Sequence, residues 1–142
     1  MTQDDLFLTL LASPATPGLA RTLISQRLTK WNMTDILDNA LIVASELLAN
    51  AVEAAPGAEL RLHLRHVQNP RGILFRVWDP SPRAPLPRAT AALTLTSIDA
   101  APEDAWDHGG GWGLPIVQSL STACGHTPTP PKGKWVWSHL TS

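Results

Sequence analysis

Apolar residues along this chain recur with two different periods, and each period predicts a different kind of element. Strict alternation appears in "AELRLHLRH", where Leu60, Leu62 and Leu64 are separated by arginine and histidine, as in a strand with one buried face. Four segments predict strands: 6–12, 58–66, 73–79 and 134–140. The turn sequence "VQNPRG" at 67–72 predicts a hairpin between the second and third, and "GHTPTPPKG" at 125–133 predicts another turn.

Other segments place apolar residues three or four positions apart, which predicts helices. Three helices follow from this spacing: 19–31, 35–54, and one from near Leu114 to Cys124. Residues 80–88 contain four prolines in nine positions, so this segment can be neither a helix nor a central strand. It begins a long connection that is expected to form a lid over about 80–113.

The order of these elements predicts an α+β fold. Hairpin-connected strands and segregated helices are typical of a mixed but largely antiparallel sheet with the helices on one face. The 142 residues suit a single domain, 1–142, which is long enough to bury a core without disulfides.

Composition and charge then exclude several classes of protein. A formal charge of -1 and a pI near 6.5 give no basic surplus for a phosphate backbone, so no nucleic-acid partner is expected. The acidic start "MTQDD" does not resemble a signal peptide, and no apolar run is long enough to span a membrane. The single cysteine, Cys124, excludes an internal disulfide, which fits a cytoplasmic protein.

One helix carries polar residues where its apolar stripe should continue. In "ASELLANAVEAA", Glu46 and Asn50 are four positions apart, so they share a face of the helix. Burying either group without a partner costs about 1–3 kcal/mol or more. Either this face is solvated, or the two side chains meet a ligand.

A glycine-rich segment is another candidate for ligand binding. In "HGGGWGLPIVQSL", Gly109, Gly110, Gly111 and Gly113 precede a helix, which suits a phosphate group or a plain turn. No GK[ST] follows, so this is not a Walker A loop.

Further candidates have simpler alternatives. Asp79 can bind a ligand or merely end its strand before Pro80, and Trp112 can stack on a ligand or brace the lid. The five histidines lack metal-ligand spacing. Cys124 is expected to be a packed residue and not a nucleophile.

Three stretches in this order, "ELLANAV" (46–52), "WDPSPRAP" (78–85) and "GGGWGLPIVQSL" (109–120), resemble the N, G1 and G2 boxes of the GHKL ATPase superfamily. The resemblance is strongest to the anti-sigma-factor serine kinases of Gram-positive bacteria and the related single-domain regulators of streptomycetes. It implies the Bergerat fold, an α/β sandwich, with ATP bound between the helices and the lid.

The resemblance also implies a role for each candidate residue. Asn50 would ligate Mg²⁺, Glu46 would be the general base, and Asp79 would accept a hydrogen bond from the adenine amine. The glycines at 109–111 and Gly113 would let the lid approach the phosphates, and the helix starting near Leu114 would point its N–H groups at them. Trp135 stands near the expected adenine position, where it can narrow the pocket or point away.

Two functions follow from the resemblance and stay open. The first is an ATP-dependent serine kinase that phosphorylates a small STAS-type antagonist protein. The second is a non-catalytic nucleotide-binding module that sequesters a sigma factor or another regulator. Either protein would use ATP and Mg²⁺, and family members often form homodimers.

Overall fold

The computed structural model describes residues 5–82 and 115–142. These ranges contain five strands, three α-helices and one 3₁₀ turn, Thr34–Ile36. The strands are β1 (Leu6–Leu11), β2 (Glu59–Val67), β3 (Gly72–Asp79), β4 (Ala123–Pro128) and β5 (Lys134–Thr141). The helices are α1 (Thr16–Lys30), α2 (Leu37–Ala54) and α3 (Pro115–Leu120).

The strands form one sheet in the order β1-β2-β3-β5-β4. Each of its four neighbouring pairs is antiparallel. The α+β prediction is therefore confirmed, and the described strands contain no parallel pair. The hairpin between β2 and β3 lies where the turn sequence places it, with Val67 opposite Gly72.

The core lies between the sheet and the helices. Alternate residues of the three central strands are buried, as the period of two predicts. On the sheet side these are Leu60, Leu62, Leu64, Ile73, Phe75, Val77, Val136 and Leu140. The helices contribute Ala20, Ile24, Leu28, Val43, Leu47 and Leu48. Burying each large apolar side chain contributes about 1.5–3 kcal/mol, so this layer fixes α2 against β3.

Two helix boundaries differ from the sequence prediction by three residues or more. Helix α1 begins at Thr16 and not at Leu19, because Pro17 suits a first helical turn and the Thr16 hydroxyl donates to the Leu11 carbonyl oxygen at 2.6 Å. The predicted helix to Cys124 is wrong, since α3 ends at Leu120.

Strand β4 covers Ala123–Pro128, most of which was predicted to be a turn. Its sequence, "ACGHTP", has neither an alternating pattern nor many strand-forming residues. It is an edge strand held by backbone pairing to β5, with Gly125 opposite Trp137 and Thr127 opposite Trp135. Pairing with an existing strand overrides local propensity here.

Gly133, in the turn between β4 and β5, is packed against the end of β3. Its φ is +87°, and a Cβ there would lie 2.6 Å from the Trp78 ring and 2.8 Å from the Asp79 carbonyl oxygen. Gly57 has a similar φ of +76°, but a Cβ at this position would have nothing within 4 Å. Substitutions at these two glycines therefore separate the cost of backbone strain, which both share, from that of steric clash, which only Gly133 has.

We expect Gly133→Ala to destabilise the protein more than Gly57→Ala does. Both variants pay about 1–2 kcal/mol for a left-handed backbone, and only Gly133→Ala adds an overpacking cost of about 1–3 kcal/mol. Urea denaturation of both variants measures the difference. Equal unfolding free energies would show that Trp78 moves away without cost.

Candidate functional site

Helix α2 carries Glu46 and Asn50 toward one side of the core. Asn50 is 6% exposed and belongs to the buried stripe of the helix, whereas Glu46 is half-buried one turn earlier. The two side chains therefore share one face of α2, as their spacing predicts. Asn50 is an amide within a layer of leucine and alanine, a position that an apolar residue would occupy if packing alone decided it.

A groove borders this face of α2. It has a volume of about 770 Å³ and lies between α1 and α2, with Glu46, Ser45 and Ala49 along one side. Arg21 and Asp38 add opposite charges to its lining. The predicted base therefore lines a space that a segment of another molecule can enter.

Asp79 ends β3 on the face of the sheet that carries the core. Its side chain is 1% exposed. The carboxylate oxygen Oδ1 accepts two hydrogen bonds, from the Ser81 backbone N–H at 2.8 Å and from the Lys134 ammonium at 2.9 Å. Its other oxygen, Oδ2, makes no hydrogen bond to the described residues.

Lys134 is the functional candidate that sequence reasoning missed. Its side chain is 3% exposed, and its ammonium also reaches the Ser81 carbonyl oxygen at 3.5 Å. A signal was present, because alternation along β5 puts residue 134 on the same face as the buried Val136 and Ser138. A lysine at an inward position is almost never fully buried unless it is paired.

Trp135 points away from Asp79. It is paired with Trp78 on the opposite face of the sheet, where its ring meets Phe7 edge-on at 6.5 Å and lies under the Arg76 guanidinium at 4.2 Å. Of the two alternatives for this residue, the structure shows the second, so Trp135 does not narrow a pocket at Asp79.

Several predicted site residues lie outside the described residues. These are Gly109, Gly110, Gly111, Gly113 and Leu114, together with Trp112 and all but the first three positions of the predicted lid. Their roles stay predictions. Within the described ranges, the structure brings together α2, the end of β3 and the start of β5.

Metal-ligating side chains are not clustered in residues 5–82 and 115–142, which contain no group of three or more His, Cys, Asp or Glu placed to hold an ion. None of the helices in these ranges has both the length and the apolar run needed to cross a membrane.

Cys124 is partly buried on β4. Burial disfavours the thiolate and raises its pKa from 9.0 to about 11. Because the thiolate is the nucleophile, a rise of two units leaves about a hundredfold fewer thiolates at pH 8.

We expect iodoacetamide to alkylate native Cys124 about a hundredfold more slowly at pH 8 than it alkylates the urea-unfolded chain. The raised pKa also links stability to pH. At pH values below the pKa of the unfolded thiol, Cys124 contributes to the stability of the folded state, and this contribution is lost as the pH rises toward 11. Mass spectrometry measures the alkylated fraction with time. Equal rates in the folded and unfolded chains would show that the thiol is not shielded.

The comparisons with known proteins agree with this architecture. The family model for the histidine kinase-like ATPase domain matches residues 12–139. No curated protein matches the chain in sequence.

Among solved structures, the chain is similar to the crystal structure of the RsbU and RsbW domains of Rv1364c from Mycobacterium tuberculosis. The TM-score is 0.63 at 14% identity, over 96% of this chain and 32% of the other. This likeness shows the fold, and the chain spans about a third of that protein. The family match covers most of the sequence, so the chain belongs to the histidine kinase-like ATPase domain family.

Proposed function

We propose that this chain binds ATP with Mg²⁺ beside α2 and acts as a protein serine kinase on a small STAS-type antagonist protein, as anti-sigma-factor kinases do. The observation that carries the proposal is the pair on α2: a buried Asn50 and, four residues earlier, a half-buried Glu46 at the edge of the groove. The family match supports ATP as the nucleotide. The likeness to a structure with an RsbW domain supports the choice among family activities.

The face of α2 that carries Asn50 is suited to binding Mg²⁺. Mg²⁺ prefers oxygen ligands and is usually held by one or two protein groups together with phosphates and waters. The amide oxygen of Asn50 is such a ligand. A role in binding Mg²⁺ would account for an amide within the apolar stripe of α2. Asn50 would hold the ion, whose positive charge would neutralise the phosphates.

Glu46 would accept the proton of the attacking hydroxyl. A base must lie within hydrogen-bond reach of the proton that it removes, and Glu46 lines a groove wide enough for a segment of a partner protein. The partner's serine would enter through this groove between α1 and α2. Phosphoryl transfer needs mainly this positioning together with charge neutralisation.

Asp79 would hold the adenine through Oδ2. Its Oδ1 is fixed by Ser81 and Lys134, which orients the carboxylate before any ligand arrives. A preoriented acceptor loses less conformational freedom when it binds the adenine amine. Lys134 would therefore act as a positioning residue for the contact between Asp79 and adenine.

A second candidate function is the non-catalytic module that sequesters a sigma factor. The ion pair between Asp79 and Lys134 is compatible with it, because Oδ2 is left for the adenine whether or not phosphate is transferred. A protein of this kind would bind nucleotide and a sigma factor without transferring phosphate. Phosphate transfer to a partner separates the two candidates.

We expect ATP with Mg²⁺ to raise the melting temperature, since a ligand that binds only the native state stabilises it, by about 2.7 kcal/mol at a hundredfold excess over Kd. Asn50→Ala should abolish the part of this shift that depends on Mg²⁺. Asn39→Ala, which changes an exposed amide of the same helix, is the matched control. A melting temperature that no adenine nucleotide changes, with or without Mg²⁺, would contradict the proposed site.

A further inference from the structure

The sheet has a second face, opposite the helices, that carries aromatic and basic side chains. Residues directly paired across antiparallel strands share a face, so the register places one connected set there. We call it the outer sheet face: Phe7, Arg61, His63, Arg65, Arg76, Trp78, Trp135 and Trp137. The described helices pack on the opposite face, where they share the core with the inward strand residues, and Phe7 is 55% exposed.

Two tryptophans of this face lie under arginines. The Arg61 guanidinium is 4.6 Å from the Trp78 ring centroid, and the Arg76 guanidinium is 4.2 Å from that of Trp135. Such contacts hold a guanidinium in place by cation–π attraction. An arginine fixed on a ring keeps N–H groups for a carboxylate, and its planar fork matches both carboxylate oxygens.

The rings themselves are fixed. The Trp78 indole N–H donates to the Thr129 hydroxyl at 2.9 Å, and that hydroxyl donates to the Lys132 carbonyl oxygen at 2.7 Å. Gly133 packs against the same ring. The turn between β4 and β5 is thereby tied to the outer sheet face, and it brings the Lys132 side chain to its edge.

Arg76 is oriented by a relay of buried groups. Its Nε donates to His63 Nδ1 at 2.9 Å, so the ring proton of His63 lies on Nε2, which donates to the Asp5 carboxylate at 2.9 Å. These contacts use one edge of the guanidinium. Its terminal nitrogens make no hydrogen bond to the described residues and remain for a ligand.

A cavity lies where these groups meet the turn. Its volume is about 320 Å³, and it is lined by two indoles, two cations and prolines: Trp78, Trp135, Arg61, Lys132, Pro130 and Pro131. Cations beside apolar walls suit a carboxylate carried on an apolar stem. The outer sheet face and this turn carry four cations, Arg61, Arg65, Arg76 and Lys132, and two acids. Glu59 accepts from Arg61 Nε at 3.1 Å and Asp5 lies 3.4 Å from Arg65 Nε, which leaves an excess of two positive charges.

We propose that the outer sheet face binds an acidic peptide segment of a partner protein, with glutamate or aspartate side chains on Arg61, Arg76 and Lys132. Charge complementarity carries the choice of partner. A second copy of this chain would bring the same net-positive surface against itself across a two-fold axis, and repulsion between like charges disfavours that contact. The face is remote from the groove at Glu46, so the proposal does not rest on the kinase function.

Single-stranded nucleic acid is the less favoured ligand. Such ligands need aromatic rings on which bases stack, but guanidiniums already cover Trp78 and Trp135. The net charge of -1 also gives little attraction for a polyphosphate. Carboxylates on a peptide need only the local excess of cations.

The test is fluorescence anisotropy of the full chain with a labelled glutamate-rich peptide, a glutamine-matched peptide and labelled oligo(dT). Arg61→Gln/Lys132→Gln removes two exposed cations of the cavity. Arg27→Gln/Lys30→Gln is the matched control, because Arg27 also lies over an indole, that of Trp31 at 5.8 Å, but in the helix layer. We expect the first pair to weaken the glutamate peptide about tenfold, or about 1.4 kcal/mol, and the second to leave it unchanged.

Arg76→Gln gives an independent check, with melting curves to show that each variant is folded. It should weaken the glutamate peptide as well, and rising salt should weaken binding to the wild type. Four results would overturn the proposal: no binding of the glutamate peptide, equal binding of the glutamine peptide, equal losses in both double variants, or tighter binding of oligo(dT) through the same cations. Dimerisation of the peptide-free protein that Arg61→Gln/Lys132→Gln abolishes would reassign the face to self-association.

Discussion

A Lys134→Met variant is expected to lose about 3–5 kcal/mol of unfolding free energy, because removal of one partner leaves the other charge of a buried ion pair uncompensated. The Lys134 ammonium and the Asp79 carboxylate are 2.9 Å apart, with side chains 3% and 1% exposed. Water cannot replace the lost contact at that depth. Domains of this size have about 5–15 kcal/mol of stability in total, so the loss should be plain in urea denaturation.

Two further variants show whether the pair is the cause. Lys132→Met changes an exposed lysine two residues earlier and should stay within about 0.5 kcal/mol of the wild type. Asp79→Asn/Lys134→Met removes both charges and retains an oxygen for the Ser81 N–H. It should be more stable than Lys134→Met alone, since a pair of neutral groups has no unpaired charge. A Lys134→Met protein as stable as Lys132→Met would show that Asp79 finds another partner.

The sheet could be predicted from the sequence wherever alternation coincides with burial. In β2 from Leu60 to Leu64 and in β3 from Ile73 to Val77, every second residue is apolar and buried, so period and burial give the same answer. Strand β4 has no such pattern, because it is an edge strand that owes its conformation to hydrogen bonds with β5. A signal that depends on a partner strand is absent from the strand's own sequence.

The site could be predicted in part for a similar reason. Glu46 and Asn50 interrupt the apolar stripe of α2 four positions apart, and this spacing is visible in the sequence alone. The pairing of Asp79 with Lys134 joins residues 55 positions apart, and only the register of β3 with β5 brings them together. The arginine-covered tryptophans of the outer sheet face also depend on strand register, that of β2 with β3 for Arg61 on Trp78 and that of β3 with β5 for Arg76 on Trp135.

Glu46→Gln is expected to slow phosphate transfer by about 10²–10⁴-fold, the usual effect of removing a general base, while ATP still binds. Glutamine has nearly the shape of glutamate but cannot accept the hydroxyl proton. The measurement is transfer of labelled γ-phosphate to a co-encoded STAS-type protein, with ATP affinity from titration calorimetry. Loss of rate with intact affinity is the pattern expected of an interaction that acts only in the transition state.

Glu53→Gln is the matched control, because Glu53 lies two turns further along α2 and is exposed. The same loss of charge there should leave the transfer rate unchanged, so a drop confined to Glu46→Gln cannot come from the overall field of the helix. Equal transfer by wild type and Glu46→Gln would remove Glu46 from the mechanism. If neither protein transfers phosphate, while both bind ATP and capture a sigma factor, the non-catalytic module is the correct function, and Asn50 and Asp79 would serve nucleotide-dependent capture.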